Sequence, residues 1–198
     1  MNELQRRIIE EGKVLPGNII KVDGFMNHRV DIRLQRKIAR QFHEHFADKQ
    51  ITKVMTVEAS GIPLATITAD EFGVPLLFAK KAKSDNIEGG LVKSEIYSYT
   101  YKKKVTLIVS AEWISPEDKV LVVDDFMANG EAIRGLVEIV DQVGAELVGV
   151  GIAIEKGFQG GGDRLRERGV DVYSLAIVEH AEPGNIVFRN EEEDKKEF

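Results

Sequence analysis

One stretch of the sequence, residues 120–132 (VLVVDDFMANGEA), limits the possible folds of this chain more than any other. Four apolar residues run without alternation from Val120 to Val123, which is typical of a strand buried on both faces of a parallel sheet. Two acids and a few small residues follow, and a helical pattern then begins near Glu131 and stops at Gly144. The stretch therefore predicts a strand, an acid pair, a phosphate-sized turn and a helix.

The turn and the acid pair suit two different groups of a ligand. Backbone N–H groups at a helix N-terminus, reached through small residues, form an anion site, and phosphate is the usual anion. Asp124 and Asp125 cannot bind that phosphate, but adjacent carboxylates accept hydrogen bonds from vicinal hydroxyls or hold Mg²⁺ through water. A ribose phosphate fits both halves. An ordinary strand-to-helix connection with acids near the helix dipole is the alternative, and the pattern alone leaves both interpretations open.

Composition favours one soluble globular domain. The 198 residues suffice for a sizeable core, and 43% hydrophobic and 30% charged residues are ordinary values. A formal charge of −6 argues against nucleic-acid binding. Because we find no apolar signal or spanning segment, we expect no membrane association. The absence of cysteine excludes disulfides, thiolate catalysis and Cys-based zinc sites, and fits a cytoplasmic protein.

The N-terminal part predicts two helices with an irregular segment between them. Residues 4–11 have the spacing of a short amphipathic helix. Residues 12–30 are broken by proline and glycine, so we expect a small hood outside the core. Its tip is expected to consist of Phe25, Met26 and Asn27. From Asp31, a plausible N-cap, apolar residues recur every four positions and form the core face of the second helix. These residues are Leu34, Ile38, Phe42 and Phe46.

A second strand-to-helix turn lies in the sequence EASGIP. The strand over residues 53–57 leads into Glu58, Ala59, Ser60 and Gly61. Gly61 permits an unusual backbone conformation, and Pro63 suits the first turn of the following helix. On this string alone, a plain connection is the favoured interpretation.

Two further segments have both a structural and a functional interpretation. Residues 80–101 are polar, contain glycine and lie between β-prone stretches, which on composition predicts a solvated hairpin with a lysine-rich face. The strand over residues 147–154 is followed by Lys156 and Phe158. An ammonium donor and an aromatic face could form a pocket for a base, although such a lysine alone is more often a solvated strand end.

Other candidate sites are weak. His43 and His45 point to different faces of one helix, so we predict no metal site there. Gly160 to Gly162 predict a flexible turn before a short helix over residues 163–168. Residues 191–198 predict an acidic, solvated tail.

The motifs resemble the signature of the type I phosphoribosyltransferases, which bind 5-phosphoribosyl 1-diphosphate (PRPP). Their order, with the hood, the EASG turn, the long loop, VVDDF-MANGEA and IEK-x-F, is most similar to that of bacterial family members that use xanthine. The resemblance implies a doubly wound α/β domain over residues 1–190, with a mainly parallel sheet flanked by helices. It also implies the hood and a mobile antiparallel loop over residues 80–101.

The resemblance gives each motif a role. It implies that Asp124 and Asp125 hold the ribose hydroxyls and that Lys156 donates to O6 of the base. The loop for the 5′-phosphate would consist of Ala128, Asn129, Gly130, Glu131 and Ala132. The loop for the diphosphate would consist of Glu58, Ala59, Ser60 and Gly61. The contacts to xanthine would come from the backbone near Ile20 and from Asn27, Lys156 and Phe158. The family's phosphate loop is often Thr-rich and this loop is not, so backbone N–H groups must contribute more to phosphate binding here.

The implied reaction transfers ribose 5-phosphate from PRPP to N9 of xanthine, giving xanthosine 5′-monophosphate and diphosphate. The diphosphate would carry Mg²⁺, and the enzyme would be a cytoplasmic homodimer. Specificity for hypoxanthine and guanine is an alternative, because both of these bases also present O6. A non-catalytic PRPP-sensing regulator is another, although such regulators carry a nucleic-acid-binding module and a basic surface that we do not expect here.

Overall fold

The computed structural model describes residues 1–81, 90–98 and 103–189. Its helices are α1 (Glu3–Glu11), α2 (Ile32–His45), α3 (Ile62–Phe72), α4 (Glu131–Val143) and α5 (Gly161–Arg166). Its strands are β1 (Lys13–Leu15), β2 (Ile19–Lys21), β3 (Lys53–Val57), β4 (Leu76–Ala79), β5 (Leu91–Ser98), β6 (Lys103–Ser110), β7 (Lys119–Met127), β8 (Glu146–Lys156), β9 (Val172–Glu182) and β10 (Asn185–Phe188). Two 3-10 turns, Ala111–Trp113 and Gly157–Gln159, complete the described elements.

A six-stranded sheet in the order β10-β9-β8-β7-β3-β4 forms the centre of the protein. Strand β10 pairs antiparallel with β9, and every other neighbouring pair is parallel. The chain runs from β3 outward to β4 and then returns to the other side of β3 as β7. The strand order therefore reverses between β3 and β7, and a crevice opens at their carboxyl ends.

Alternate residues of β7 belong to two hydrophobic cores, one on each face of the sheet. Leu121 and Val123 pack in the first core, with α1, α2 and α3. Val120 and Val122 pack in the second core, with α4 and the β5–β6 hairpin. A strand covered on both faces must be apolar at every position, which explains its unbroken run of hydrophobic residues. The predicted doubly wound α/β fold is confirmed.

The helix boundaries follow the expected signals. The carboxylate of Asp31 accepts hydrogen bonds from the backbone N–H groups of Arg33 and Leu34, as an N-cap does. All four predicted core residues of α2 are buried. Helix α4 ends at Gly144, which adopts the left-handed conformation with φ of 78°.

The prediction that the tip of the hood lies outside the core is wrong for two residues. Phe25 is 1% exposed and Met26 is 0% exposed, and both belong to the first core. The backbone N–H groups of both residues donate to the carbonyl of Val22, and this turn directs their side chains inward. Burial of each large apolar side chain contributes about 1.5–3 kcal/mol, so the glycines around the turn do not make it a free flap.

The region predicted as a mobile loop contains a strand. Strand β5 pairs antiparallel with β6, and its burial alternates, with Ser94 and Ile96 inward. Gly135 of α4 permits this packing, because a Cβ atom there would lie closer than 3.0 Å to Ile96. The parts of the loop prediction at residues 82–89 and 99–101 lie outside the described residues, as does the predicted acidic tail.

Two smaller differences concern the other ends of elements. Strand β7 continues through the acid pair to Met127, so the acids belong to the strand. The short helix near the C-terminus begins at Gly161, and Gly161 and Gly162 are buried helical residues instead of a flexible turn. No described helix has both the length and the apolar character that crossing a membrane requires.

Candidate functional site

The two predicted strand-to-helix turns meet at Asp125. One oxygen of its carboxylate accepts a hydrogen bond from Ser60 Oγ at 3.0 Å. The other oxygen accepts one from Asn27 Nδ2 at 3.2 Å. These contacts bring together the turn after β3, the end of β7 and the hood, which are far apart in the sequence. The carboxylate of Asp125 is thus fixed from two sides.

Asp124 is buried beside Asp125, and its charge is disfavoured. Its side chain accepts a hydrogen bond from the backbone N–H of Asp125 at 2.9 Å. Burial raises the pKa of Asp124 well above its ordinary value, and the neighbouring negative charge of Asp125 raises it further. Such a pair is suited to accept hydrogen bonds or to share a cation, which would offset the repulsion.

Gly61 allows the turn after β3 to approach the acid pair. A Cβ atom at this position would lie closer than 3.0 Å to Asp124 Oδ1 and to Thr56 Oγ1. The turn is also tied to the chain after β4, because Glu58 Oε1 accepts a hydrogen bond from the backbone N–H of Lys81 at 2.5 Å. The peptide bond between Glu58 and Ala59 is cis. Ala59 and Ser60 are exposed, so a ligand can reach their backbone.

The predicted phosphate loop leads into the N-terminus of α4 through Gly130. Gly130 has φ of 76°, a conformation that favours glycine, and no side chain of the described residues caps the helix. The first N–H groups of α4 therefore point to the crevice without a side-chain acceptor. The carboxylate of Glu131 lies 3.0 Å from Arg134 Nη2, and the hydrogen bond from Arg134 is the main cause of the lowered pKa of Glu131. This ion pair offsets a negative charge beside a candidate anion site.

An open cavity of about 710 Å³ adjoins this helix N-terminus. All five residues of the predicted phosphate loop line it: Ala128, Asn129, Gly130, Glu131 and Ala132. Its other walls include Ile19, Lys81, Tyr97, Phe126, Lys156 and Gln159. The predicted phosphate loop and the predicted base-reading lysine thus share one cavity.

Lys156 lies at the carboxyl end of β8, where the sequence placed it. Its ammonium group is half-buried and donates to the backbone carbonyl of Asn18 in the hood, at 3.4 Å. Burial lowers the pKa of Lys156. Lys156 therefore places a hydrogen-bond donor in the cavity, and this ammonium group is less well hydrated than one at the surface.

The side chains of two residues that were predicted near the base pack in or against the first core. The side chain of Ile20 is 7% exposed and packs in the first core, whereas its neighbour Ile19 lines the cavity, since successive residues of a strand face opposite sides. Phe158 and Phe126 both pack against the first core, but Phe126 is the phenylalanine that lines the cavity. Asn27 lies at the acid pair, as described above. The proposed roles of these residues in base binding remain predictions.

Sequence reasoning missed several lining residues. Phe126 directly follows the acid pair, so its place in the sequence next to the predicted ribose site was a signal that could have found it. Gln159 and Tyr97 have no comparable signal, because only tertiary packing brings them to the cavity. Within the described residues, no group of three or more His, Cys, Asp or Glu side chains could hold a metal ion. Any metal here would need further ligands from a substrate or from water.

The sequence has clear relatives. Residues 27–184 match the family described as "Phosphoribosyl transferase domain". The chain is 50% identical to the xanthine phosphoribosyltransferase of Bifidobacterium adolescentis, over 96% of this chain and 100% of that protein. It is 48% identical to the xanthine phosphoribosyltransferase of Ruminiclostridium cellulolyticum, over 95% of this chain and 99% of the relative.

Solved structures have the same fold. The adenine phosphoribosyltransferase of Trypanosoma brucei, solved with AMP, pyrophosphate and ribose 5-phosphate, superposes with a TM-score of 0.71 at 22% identity. The match covers 87% of this chain and 78% of that one. The enzyme from Giardia lamblia with 9-deazaadenine gives a TM-score of 0.67 at 24% identity, over 75% and 81% of the chains. On its fold and its relatives, the chain belongs to the phosphoribosyltransferase family and, within it, to the xanthine phosphoribosyltransferases.

Proposed function

We propose that the protein transfers the ribose 5-phosphate group of PRPP to N9 of xanthine. The products are xanthosine 5′-monophosphate and diphosphate, so the reaction is a step of purine salvage. The observation that carries the proposal is the identity of about 50% to xanthine phosphoribosyltransferases over nearly the whole of both chains. The site supports it, because an uncapped helix N-terminus and a half-buried lysine line one cavity, and the buried acid pair directly precedes the cavity residue Phe126 on β7.

The two halves of PRPP would occupy different parts of the crevice. The N–H groups that follow Gly130 would bind the 5′-phosphate. Asp124 and Asp125 would accept hydrogen bonds from the ribose hydroxyls. The turn of Glu58, Ala59, Ser60 and Gly61 would present backbone N–H groups to the diphosphate.

The acid pair also fits the Mg²⁺ that the family implies. Mg²⁺ keeps several waters and takes one or two carboxylates together with substrate phosphates, and Asp124 and Asp125 offer two adjacent carboxylates. Asp124 and Asp125 would hold it beside the substrate. Neutralisation of the leaving diphosphate is the chemistry that Mg²⁺ supplies when it is bound.

The protein itself contributes position and electrostatic stabilisation. The diphosphate leaves C1′ as N9 of the base approaches, so alignment of the two substrates lowers the barrier. Donors fixed before the reaction stabilise the charge that develops on the leaving group. Exclusion of water protects the reactive sugar cation from hydrolysis.

Base selection would rest on Lys156 and the hood. The ammonium group can only donate, so it can donate to O6 of a 6-oxopurine, whereas the amino group of adenine would face it with another donor. The amide of Asn27 can donate or accept, which suits discrimination at position 2 between the carbonyl of xanthine and the amino group of guanine. Hypoxanthine and guanine remain the competing substrates, and the names of the relatives favour xanthine.

A diphosphate-release assay tests the proposal against a PRPP-sensing regulator. With PRPP and Mg²⁺ present, the protein should release diphosphate only when xanthine is added. A sensor would bind PRPP in calorimetry without release under either condition. We also propose that the protein, a single domain over residues 1–190, forms a homodimer, which sedimentation velocity tests. The proposed cytoplasmic location is tested by localisation of the protein in cells.

A further inference from the structure

Helix α5 lies directly against the predicted phosphate loop. A Cβ atom on Gly161 would lie closer than 3.0 Å to the carbonyl oxygen of Ala128 and to the backbone nitrogen of Gly130. These are backbone atoms and cannot move aside alone. Only glycine allows the helix and the loop to approach so closely.

The same helix is anchored on the strand that carries Lys156. Glu155 of β8 is 0% exposed, and its two carboxylate oxygens accept hydrogen bonds from Arg166 Nη1 and Nη2 at 3.0 and 2.7 Å. Bidentate pairs of this type fix both partners in geometry. Ser174 of β9 adds a hydroxyl donor at 2.5 Å to the same carboxylate. The helix therefore has a fixed position relative to the end of β8.

Arg164 uses this position to contact both halves of the crevice. Its Nη2 donates to the carbonyl oxygen of Asn129, in the phosphate loop, at 2.9 Å. Its Nη1 donates to the carbonyl oxygen of Gln159, in the turn that follows Lys156, at 3.3 Å. One guanidinium group thus connects the loop for one substrate with the turn beside the other.

We propose that Arg164 is a positioning residue that sets the separation between the 5′-phosphate loop and the base-side turn. The proposal rests on the function proposed above, in which C1′ of PRPP and N9 of the base must meet. The guanidinium fork is planar and rigid, so it can hold two carbonyls at a fixed distance. Small errors in the alignment of two reactants reduce the rate strongly, although Arg164 would touch neither of them.

Steady-state kinetics of Arg164→Ala, with both substrates varied, test the proposal. We expect KM to rise for PRPP and for xanthine and kcat to fall, with a loss of about tenfold in kcat/KM for each substrate. The thermal midpoint should stay within about 2 °C of wild type, because Arg164 is an exposed side chain. Arg164→Lys should give intermediate values, since one ammonium group lacks the fork. Arg168 is also exposed but does not connect the phosphate loop with the base-side turn. Arg168→Ala is therefore the matched control and should behave as wild type.

A second variant tests the same contact from the other side. Gly161→Ala should weaken PRPP binding in calorimetry, because the added methyl group displaces the phosphate loop. The inference is overturned if Arg164→Ala changes KM for only one substrate, which would make it a direct ligand. Wild-type kinetics together with a lowered thermal midpoint would also overturn it, since that result means a purely structural role. An inactive wild-type protein would contradict the proposed function instead.

Discussion

Asp125 accepts hydrogen bonds from the hood and from the turn after β3, and it is also one of the two residues proposed to bind ribose. Asp125→Asn should therefore lower kcat/KM for PRPP by about ten- to a hundredfold, because a charge-assisted hydrogen bond is worth roughly 1.5–3 kcal/mol. Asp118→Asn, just before the opposite end of β7, removes a carboxylate 2.6 Å from Lys53 and should leave kcat/KM unchanged. Unchanged kinetics in a folded Asp125→Asn protein would remove the ribose assignment.

Asp124 should reduce the stability of the ligand-free protein at neutral pH. Because its pKa is raised on folding, its favourable contribution is fully present below the unfolded pKa and is lost as the pH rises through the folded pKa. Asp124→Asn removes the buried charge, so the variant should exceed wild type in thermal midpoint at pH 8 by more than at pH 5. If the difference in thermal midpoint between Asp124→Asn and wild type does not grow with pH, Asp124 does not carry a destabilising buried charge.

Asp31→Asn is a control whose effect on stability should depend on pH in the opposite direction. Hydrogen bonding from the backbone N–H of Leu34 is the main cause that lowers the pKa of Asp31. Its contribution to stability is therefore present above the unfolded pKa and is lost as the pH falls through the folded pKa. The gap between wild type and this variant should shrink under acidic conditions.

Lys156 should determine base binding and leave PRPP binding alone. Lys156→Ala leaves O6 of the base without its donor, so kcat/KM for xanthine and guanine should fall by about five- to a hundredfold, equivalent to about 1–3 kcal/mol. Because burial lowers the pKa of this lysine, activity should decline with rising pH earlier than an ordinary lysine predicts, and the variant should lose that decline. A raised KM for PRPP with an unchanged KM for the base would put the pocket elsewhere.

At the scale of elements, the N-terminus of α4 is the predicted anion site, and the two ends of this helix provide an internal comparison. Gly130 and Gly144 flank it with φ of 76° and 78°. Valine at either position should cost about 1–3 kcal/mol of stability, since a β-branched residue is strained there. Only Gly130→Val should also abolish PRPP binding in calorimetry. Equal PRPP affinity of the two variants would place the phosphate away from this helix.

Sequence patterns predicted those elements whose signals are local. The strand, acids, turn and helix of residues 120–132 and the helix from Asp31 follow from periodicity and caps. The patterns failed where tertiary packing overrides composition. Strand β5 looks polar but is paired with β6 and packed on α4, and Phe25 and Met26 are turned into the core by a short turn. Glycine suggested a loop in both places, but strand pairing with β6 and burial in the first core fix the chain there.

For the whole molecule, the family resemblance predicted both the doubly wound α/β fold and the roles of the site motifs. Sequence alone did not give the strand order, which decides that the turns after β3 and β7 share one crevice. It also did not give the contacts of Asp125 with Ser60 and Asn27, or the bridge made by Arg164, since these join distant residues through side-chain geometry. The chemistry of a single motif can be predicted from the sequence, whereas contacts between motifs are seen only in the structure.

An assay of purine choice tests the proposed xanthine specificity most directly. Xanthine, guanine, hypoxanthine and adenine should each be supplied with PRPP and Mg²⁺, and nucleotide formation should be measured as kcat/KM. We predict the highest value for xanthine, lower values for guanine and hypoxanthine, and no measurable transfer to adenine. Preferred transfer to adenine, or to none of the four bases while PRPP still binds, would contradict this prediction.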